Sequence, residues 1–298
     1  LILGDGYTAA DTTFFRDHAE ALRARMIDNT SPFTEYADYF NIYTVFTPSD
    51  SSGIYTPCTG IGADGTCTPY LNLNPISSTY YHSRYSSFVD ELNDSLSRLL
   101  TTDRTVVNEV LVSWGFDTLF TPVFMLAKSR YYGGGGAPML AASCTDYNFS
   151  SIISPNKALH EFGHSLAVLR DEYWSEGSDA FVLDTLNMSD TNYLAEVPWR
   201  NWEGFGGWPD DPTIGVHPHD GNPGWWKPTN ASCKMEVLDS AYCNVCREAI
   251  IERIHQLAPS MYGHSPSSLD PLIASETTTF SVDLIQTTNN TVVVEWWL

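Results

Sequence analysis

Residues 155–169, PNKALHEFGHSLAVL, constrain this 298-residue chain most, because they can fold into little other than an amphipathic helix. Leu159, Phe162, Leu166 and Leu169 recur at three- and four-residue spacing and form one apolar stripe, which should face a sheet. Ser154 suits the N-cap, and Pro155 the first helical position, where a missing N–H leaves no bond unmade. The helix carries His160 and His164 four residues apart, so their imidazoles leave one face beside the stripe and can share one metal ion. Glu161 stands next to them. Zinc lowers the pKa of water to ~7, and an adjacent carboxylate can take the released proton. His160 and His164 are therefore candidate zinc ligands and Glu161 the candidate catalytic base. Gly163 permits close backbone approach at this face. A catalytic zinc generally has three protein ligands, and the helix supplies two.

Around this helix the pattern alternates between strand and helix, which predicts an α/β layer with a mixed sheet. LILG at 1–4 reads as a short strand, and Thr8 and Asp11 fit a capping box before a helix with Phe15, Ala19, Leu22 and Met26 on one face. Residues 40–46, 105–114 and 122–127 read as strands. Phe88, Leu92, Leu96 and Leu99 mark another amphipathic helix. The glycines of YYGGGG at 131–136 read as a loop beside a sheet edge to which an extended peptide could add. No Lys-Ser/Thr follows them, so they are not a P-loop. Residues 172–232 show no period and hold six of the nine tryptophans, a long irregular stretch of the kind that usually serves function. Residues 243–259 form a helix, and the tail reads as a β-hairpin around Asn289-Asn290. The expected organisation is a domain over 1–260 with a C-terminal extension over 261–298.

Composition narrows the function. A net charge of −21 disfavours partners such as nucleic-acid backbones or anionic membranes, and no apolar run is long enough to span a bilayer. It tolerates Ca²⁺, although no Ca²⁺-binding motif is present. Asn29, Asn93, Asn148, Asn187, Asn230 and Asn289 each begin an Asn-x-Ser/Thr sequon, and with the acidic, lysine-poor composition they predict a secreted glycoprotein. In that setting disulfides are the expected state of the six cysteines. Cys58 with Cys67 would close a short loop, and Cys233 would pair with Cys243 or Cys246. The CxxC at 243–246 lacks a second Cys/His pair at similar spacing, so a structural zinc is not expected from it. His217 and His219 are candidates for substrate contact, a second metal or the third zinc ligand. Tyr173, Tyr242 and Arg200 are candidates for stabilising an oxyanion.

Four blocks, GDGYTAAD at 4–11, YYGGGG at 131–136, HEFGHSLAVLRDEYW at 160–174 and CKMEVLDSAYCNVCREA at 233–249, resemble the IgA-peptidase family of zinc metallopeptidases, in family order and across roughly residues 1–260. That family is similar to metzincins. The resemblance implies a metzincin-like α/β fold with a mixed twisted sheet, an active-site helix, a polypeptide substrate and hydrolysis by metal-activated water. It implies that Met235 forms an apolar turn beneath the metal. It also favours Asp171 as the third ligand, with Glu172, then His217 and His219, as competitors. Asp171 lies seven residues past His164, ~10 Å further along a continuous helix. The helix must therefore end near Leu169 or Arg170 and the chain turn back. Metzincins turn at a glycine after the second histidine, and none occurs here between Ser165 and Trp174. The contrasting expectation is a glycoprotein without activity that binds a ligand through residues 172–232; an intact Glu161 weighs against it.

Overall fold

The computed structural model describes residues 1–56, 58–61, 67–69, 78–85, 98–145, 153–173, 185–206, 213–266, 277–289 and 291–296. Its strands are β1 (Ile2–Asp5), β2 (Thr44–Val45), β3 (Cys58–Ile61), β4 (Cys67–Pro69), β5 (Arg84–Tyr85), β6 (Leu100–Thr101), β7 (Val123–Lys128), β8 (Gly134–Ala137), β9 (Leu140–Thr145), β10 (His217–Pro218), β11 (Trp226–Lys227), β12 (Met261–Ser265) and β13 (Ser281–Leu284). The α-helices are α1 (Thr12–Asn29), α2 (Arg104–Ser113), α3 (Ile153–Ala167) and α4 (Asn244–Leu257).

A five-stranded sheet in the order β2-β1-β7-β9-β8 forms the middle layer. β1, β2, β7 and β9 run parallel, and β8 lies antiparallel to β9 at the edge. The expected mixed sheet is present. Its side chains alternate between two cores. Ile2, Phe124, Leu126 and Ala141 face α1, α3 and α4, whereas Leu3, Met125, Ala127, Ala142 and Cys144 face Val107, Val110 and Leu111 of α2 together with Tyr81 and Tyr85. A sheet covered on both faces explains why β1 and β9 are buried at every position. Leu159, Phe162 and Leu166 of α3 are all buried, as is Leu169 just past its end, each contributing roughly 1.5–3 kcal/mol.

At the start of the chain the capping box forms, Asp11 Oδ2 accepting from the Thr8 N–H and hydroxyl at 2.8 Å each. The buried Asp5 carboxylate accepts from Gly6 N, Ser49 Oγ, Tyr81 N and Ser83 N, tying the long excursion after β2 to the end of β1.

Several expected elements differ. Residues 105–114 are not a strand but belong to α2, whose N-cap Asp103 accepts from Thr105 N at 2.9 Å. The β-branched run suggests a strand, yet Val107, Val110 and Leu111 bury a helical i, i+3, i+4 set. Within 40–46 only Thr44–Val45 pairs. Helix α3 begins at Ile153, one residue before the expected N-cap Ser154. The glycines at 134–136 are not a loop but belong to β8. Strand β9, whose small residues give no sequence signal, pairs on both sides. The tail forms no hairpin around Asn289-Asn290 among the described residues, since β13 pairs instead with β12, and Tyr39 Oη holds it by donating to Ile285 O at 2.9 Å. Phe88, Leu92 and Leu96, with the sequons at Asn93 and Asn148, lie outside the described residues.

Candidate metal centre

Helix α3 stops at Ala167 without glycine. Val168 takes the left-handed conformation at φ 56°. Its N–H bonds His164 O at 3.1 Å, and the Leu169 N–H reaches back to Gly163 O at 3.3 Å. This is an αL closure, in which the N–H of the left-handed residue returns to the carbonyl four residues back, with valine in the place glycine usually fills. A β-branched residue is strained there, by about 1–3 kcal/mol. The chain then reverses, as the spacing required. Asn187 pins the returning segment: its Oδ1 accepts from Arg170 N at 2.9 Å, and its Nδ2 donates to Arg170 O at 2.8 Å and Glu172 Oε1 at 3.0 Å.

The reversal brings Asp171 to the histidines. Asp171 Oδ1 lies 2.9 Å from His160 Nε2 and 3.1 Å from His164 Nε2, and the two nitrogens are 3.2 Å apart. Ligand atoms ~2.0–2.1 Å from one tetrahedral zinc would be about 3.3 Å from each other, so this triangle has the size of one face of such a site. Each imidazole turns its other nitrogen to a carbonyl, His160 Nδ1 to Lys234 O at 3.0 Å and His164 Nδ1 to Leu169 O at 2.6 Å. Nδ1–H donation there fixes the ring and leaves Nε2 as the ligand atom. The residues present therefore fit a metal ion. Burial opposes charge on His164, but the Asp171 carboxylate outweighs it and pushes the pKa up to about 9. Burial likewise opposes ionisation of Asp171, and the two histidines overcome it and hold the carboxyl far below its usual range. Glu161 shifts upward, mainly through burial.

These groups line a cleft of about 670 Å³ shared with Tyr132, Gly133–Gly136, Lys157 and Tyr173. The glycines explain how Glu161 is placed. A Cβ on Gly134 would lie 2.2 Å from Glu161 Oε1 and one on Gly136 2.5 Å from His164 Cβ, while Cβ atoms on Gly133 and Gly135 would lie 2.3 Å from the carbonyl oxygens of Arg98 and Leu100. β8 is thus pressed between α3 and the 98–100 segment, and only glycine fits on either side. Leu99 bridges to Gly134, so the edge expected to receive a peptide is already engaged there. Beneath the histidines Met235 is fully buried, and a Cβ on Gly163 would come within 2.9 Å of its Sδ. Met235 O also accepts from Glu172 N at 2.8 Å, joining this floor to the returning segment.

The other candidates separate. Tyr173 lies at the cleft, its ring centroid 5.9 Å from that of His160. Tyr242 does not reach the cleft: it is fully buried, and its hydroxyl donates to Leu159 O under the helix. His217, on β10, and His219 contribute no ligand atom to the triad, and His219 is buried against the Asp171 main chain. Arg200 sits in a short 3₁₀ turn outside the cleft lining. The expected bridge from Cys233 is absent, because Cys233, Cys243 and Cys246 are free buried thiols and Cys233 Sγ lies 3.6 Å from Cys246 Sγ, well beyond a bond of ~2.05 Å. Their sulfurs gather around Glu172 instead. The side chains of Cys58 and Cys67 lie outside the described ones. Among the sequons, Asn29, Asn230 and Asn289 are exposed, but Asn187 is fully buried with its amide engaged on both ends and cannot carry a glycan in the folded chain. Two of the described tryptophans of 172–232 are tied to neighbouring structure: Trp199 is buried with Nε1 donating to Gly215 O at 2.7 Å, and Trp202 Nε1 donates to Glu248 at 2.6 Å.

Sequence reasoning missed Asn187 and the pairing of Glu172 with the cysteines. An Asn buried inside a sequon carries no local mark, and Glu172 is separated from Cys233 by a long irregular stretch. With this geometry in place, residues 1–190 match the family model described as IgA Peptidase M64, and no curated protein matches the chain.

Proposed function

The chain belongs to the IgA Peptidase M64 family, and on that premise we propose that it is a zinc-dependent endopeptidase acting on extended polypeptides. The observation that carries this reading is the triangle of His160 Nε2, His164 Nε2 and Asp171 Oδ1 beside Glu161 in an open cleft. His160, His164 and Asp171 would hold the ion. Bound there, zinc would supply Lewis-acid chemistry, activating water and polarising the scissile carbonyl. Glu161 accepts the proton of the attacking water and passes it to the departing amine nitrogen. Its burial raises its affinity for a proton and so favours the first transfer, from water to the carboxylate. Tyr173 is the candidate donor to the developing oxyanion. Met235 closes the site from below and keeps the histidines apart from the core. The catalytic unit spans 1–260, with 261–298 an appendage. Secretion and glycosylation are part of the proposal, supported by the acidic composition and the exposed sequons at Asn29, Asn230 and Asn289.

Cleavage-site profiling of a denatured peptide library tests this directly. Glu161→Ala should keep its zinc by elemental analysis and lose ~10²–10⁴-fold in turnover, the usual share of general acid–base catalysis. Turnover close to that of the unaltered protein would remove Glu161 from the mechanism, and undiminished cleavage after zinc chelation would remove the metal.

A further inference from the structure

Behind the cleft lies a second cluster of ligand-type side chains, which the peptidase chemistry does not use. Cys233, Cys243, Cys246 and Glu172 are each 0–1% exposed, and one ligand atom from each lies within 4.8 Å of all the others. Cys233 Sγ and Cys246 Sγ are 3.6 Å apart, and Cys246 Sγ lies 3.5 Å from Glu172 Oε1. Sulfur ligands ~2.3 Å from one tetrahedral zinc stand about 3.8 Å from each other, whereas a disulfide would need ~2.05 Å. The sulfurs number three, so any disulfide among them would leave one thiol unpaired beside Glu172.

We propose that Cys233, Cys243, Cys246 and Glu172 form a closed structural zinc site, separate from the cleft and independent of the peptidase reading. Three soft thiolates with one oxygen ligand in a four-donor set select zinc over calcium or magnesium. On binding, three S–H protons leave to solvent as three Zn–S bonds form. The shell around the site is built. Glu172 receives Asn187 Nδ2 at 3.0 Å and Thr229 Oγ1 at 3.2 Å, the Cys243 N–H points at Cys233 Sγ at 3.4 Å, and the buried Lys227 ammonium, paired with Glu236, donates to the main-chain Glu172 O at 2.9 Å. The donors come from three segments. Glu172 follows Asp171, Cys233 precedes Met235 by two residues, and Cys243 and Cys246 open helix α4. Such an ion would staple the third cleft ligand and the methionine floor to the core.

The test uses the purified full chain, stripped of metal under reducing conditions and reloaded with Co²⁺. Thiolate-to-cobalt charge-transfer bands in the near ultraviolet are expected, since two imidazoles and a carboxylate give none. The bands should persist in a His160→Ala/His164→Ala variant, which should retain one zinc per chain where the unaltered protein holds two. Cys246→Ser should lose the bands and one zinc. If that variant does not fold, the histidine variant alone decides. Absence of both bands and zinc from the histidine variant overturns the proposal, as does a disulfide among these three cysteines in the non-reduced peptide map. Loss of peptidase activity with the bands intact would instead strike only the cleft reading.

Discussion

Asp171 and Glu172 are neighbours in the chain and serve opposite surroundings. The Asp171 side chain is 36% exposed and meets two histidines in a cleft, whereas Glu172 is 0% exposed and meets three thiols in the core. Both sets have metal-ligand chemistry. One leaves room for a substrate and a water, and the other is sealed by protein on every side. An open position suits catalysis and a closed one suits structure. Asn187 clamps the backbone that divides them, beside the bond from Glu172 N to Met235 O. The two consecutive carboxylates face different groups of donors, so the chain needs only one reversal after α3 to furnish both.

The widest separation between the two sites should come from Asp171→Ala. Zinc affinity of the cleft should fall more than ~100-fold, the upper range for losing a mere outer-shell partner, with activity lost alongside, while the thiolate bands of the cobalt-loaded protein stay unchanged. A variant that kept stoichiometric cleft zinc through dialysis against a mild chelator would dissolve the distinction between the two carboxylates. Asn187→Ala tests whether the sites share their support. It leaves Arg170 N and O and Glu172 Oε1 short of a partner, which should cost about 2–3 kcal/mol in chemical denaturation and weaken metal binding at both sites. An effect on one site alone would mean that the clamp is local. The smallest effect concerns the reversal itself. Val168→Asn should relieve left-handed strain and raise stability by about 1 kcal/mol, with zinc content and turnover unaltered. A lower melting temperature would show that the exposed Val168 side chain contributes something the backbone angle does not reveal.

Much of the cleft was legible because its determinants are local. His160, Glu161 and His164 share one helix whose stripe is written at 3.6-residue spacing, and the need for a reversal before Asp171 follows from the rise of that helix. Helices α1 and α4 were readable for the same reason. What was not readable depended on partners distant in sequence. β9 is LAASCT, small residues without alternation, and is a strand because β7 and β8 flank it. The glycines of β8 look like a loop until α3 and residues 98–100 are seen to leave no space for a Cβ. α2 announces β-branched residues more loudly than its helical spacing. The cysteine pairs suggested bridges because Glu172, the fourth donor, lies 61 residues before Cys233.

The burial of Asn187 has a consequence in time rather than in space. A sequon is recognised on the extended chain, before tertiary structure hides it. In a host that glycosylates nascent polypeptides, modification of Asn187 and its docking against Arg170 and Glu172 would run as competing reactions. A chain glycosylated there first could not close the segment that carries Asp171. The yield of active molecules would then follow the speed of folding, and slowing translocation or folding would fill a dead-end pool recognisable by one extra glycan.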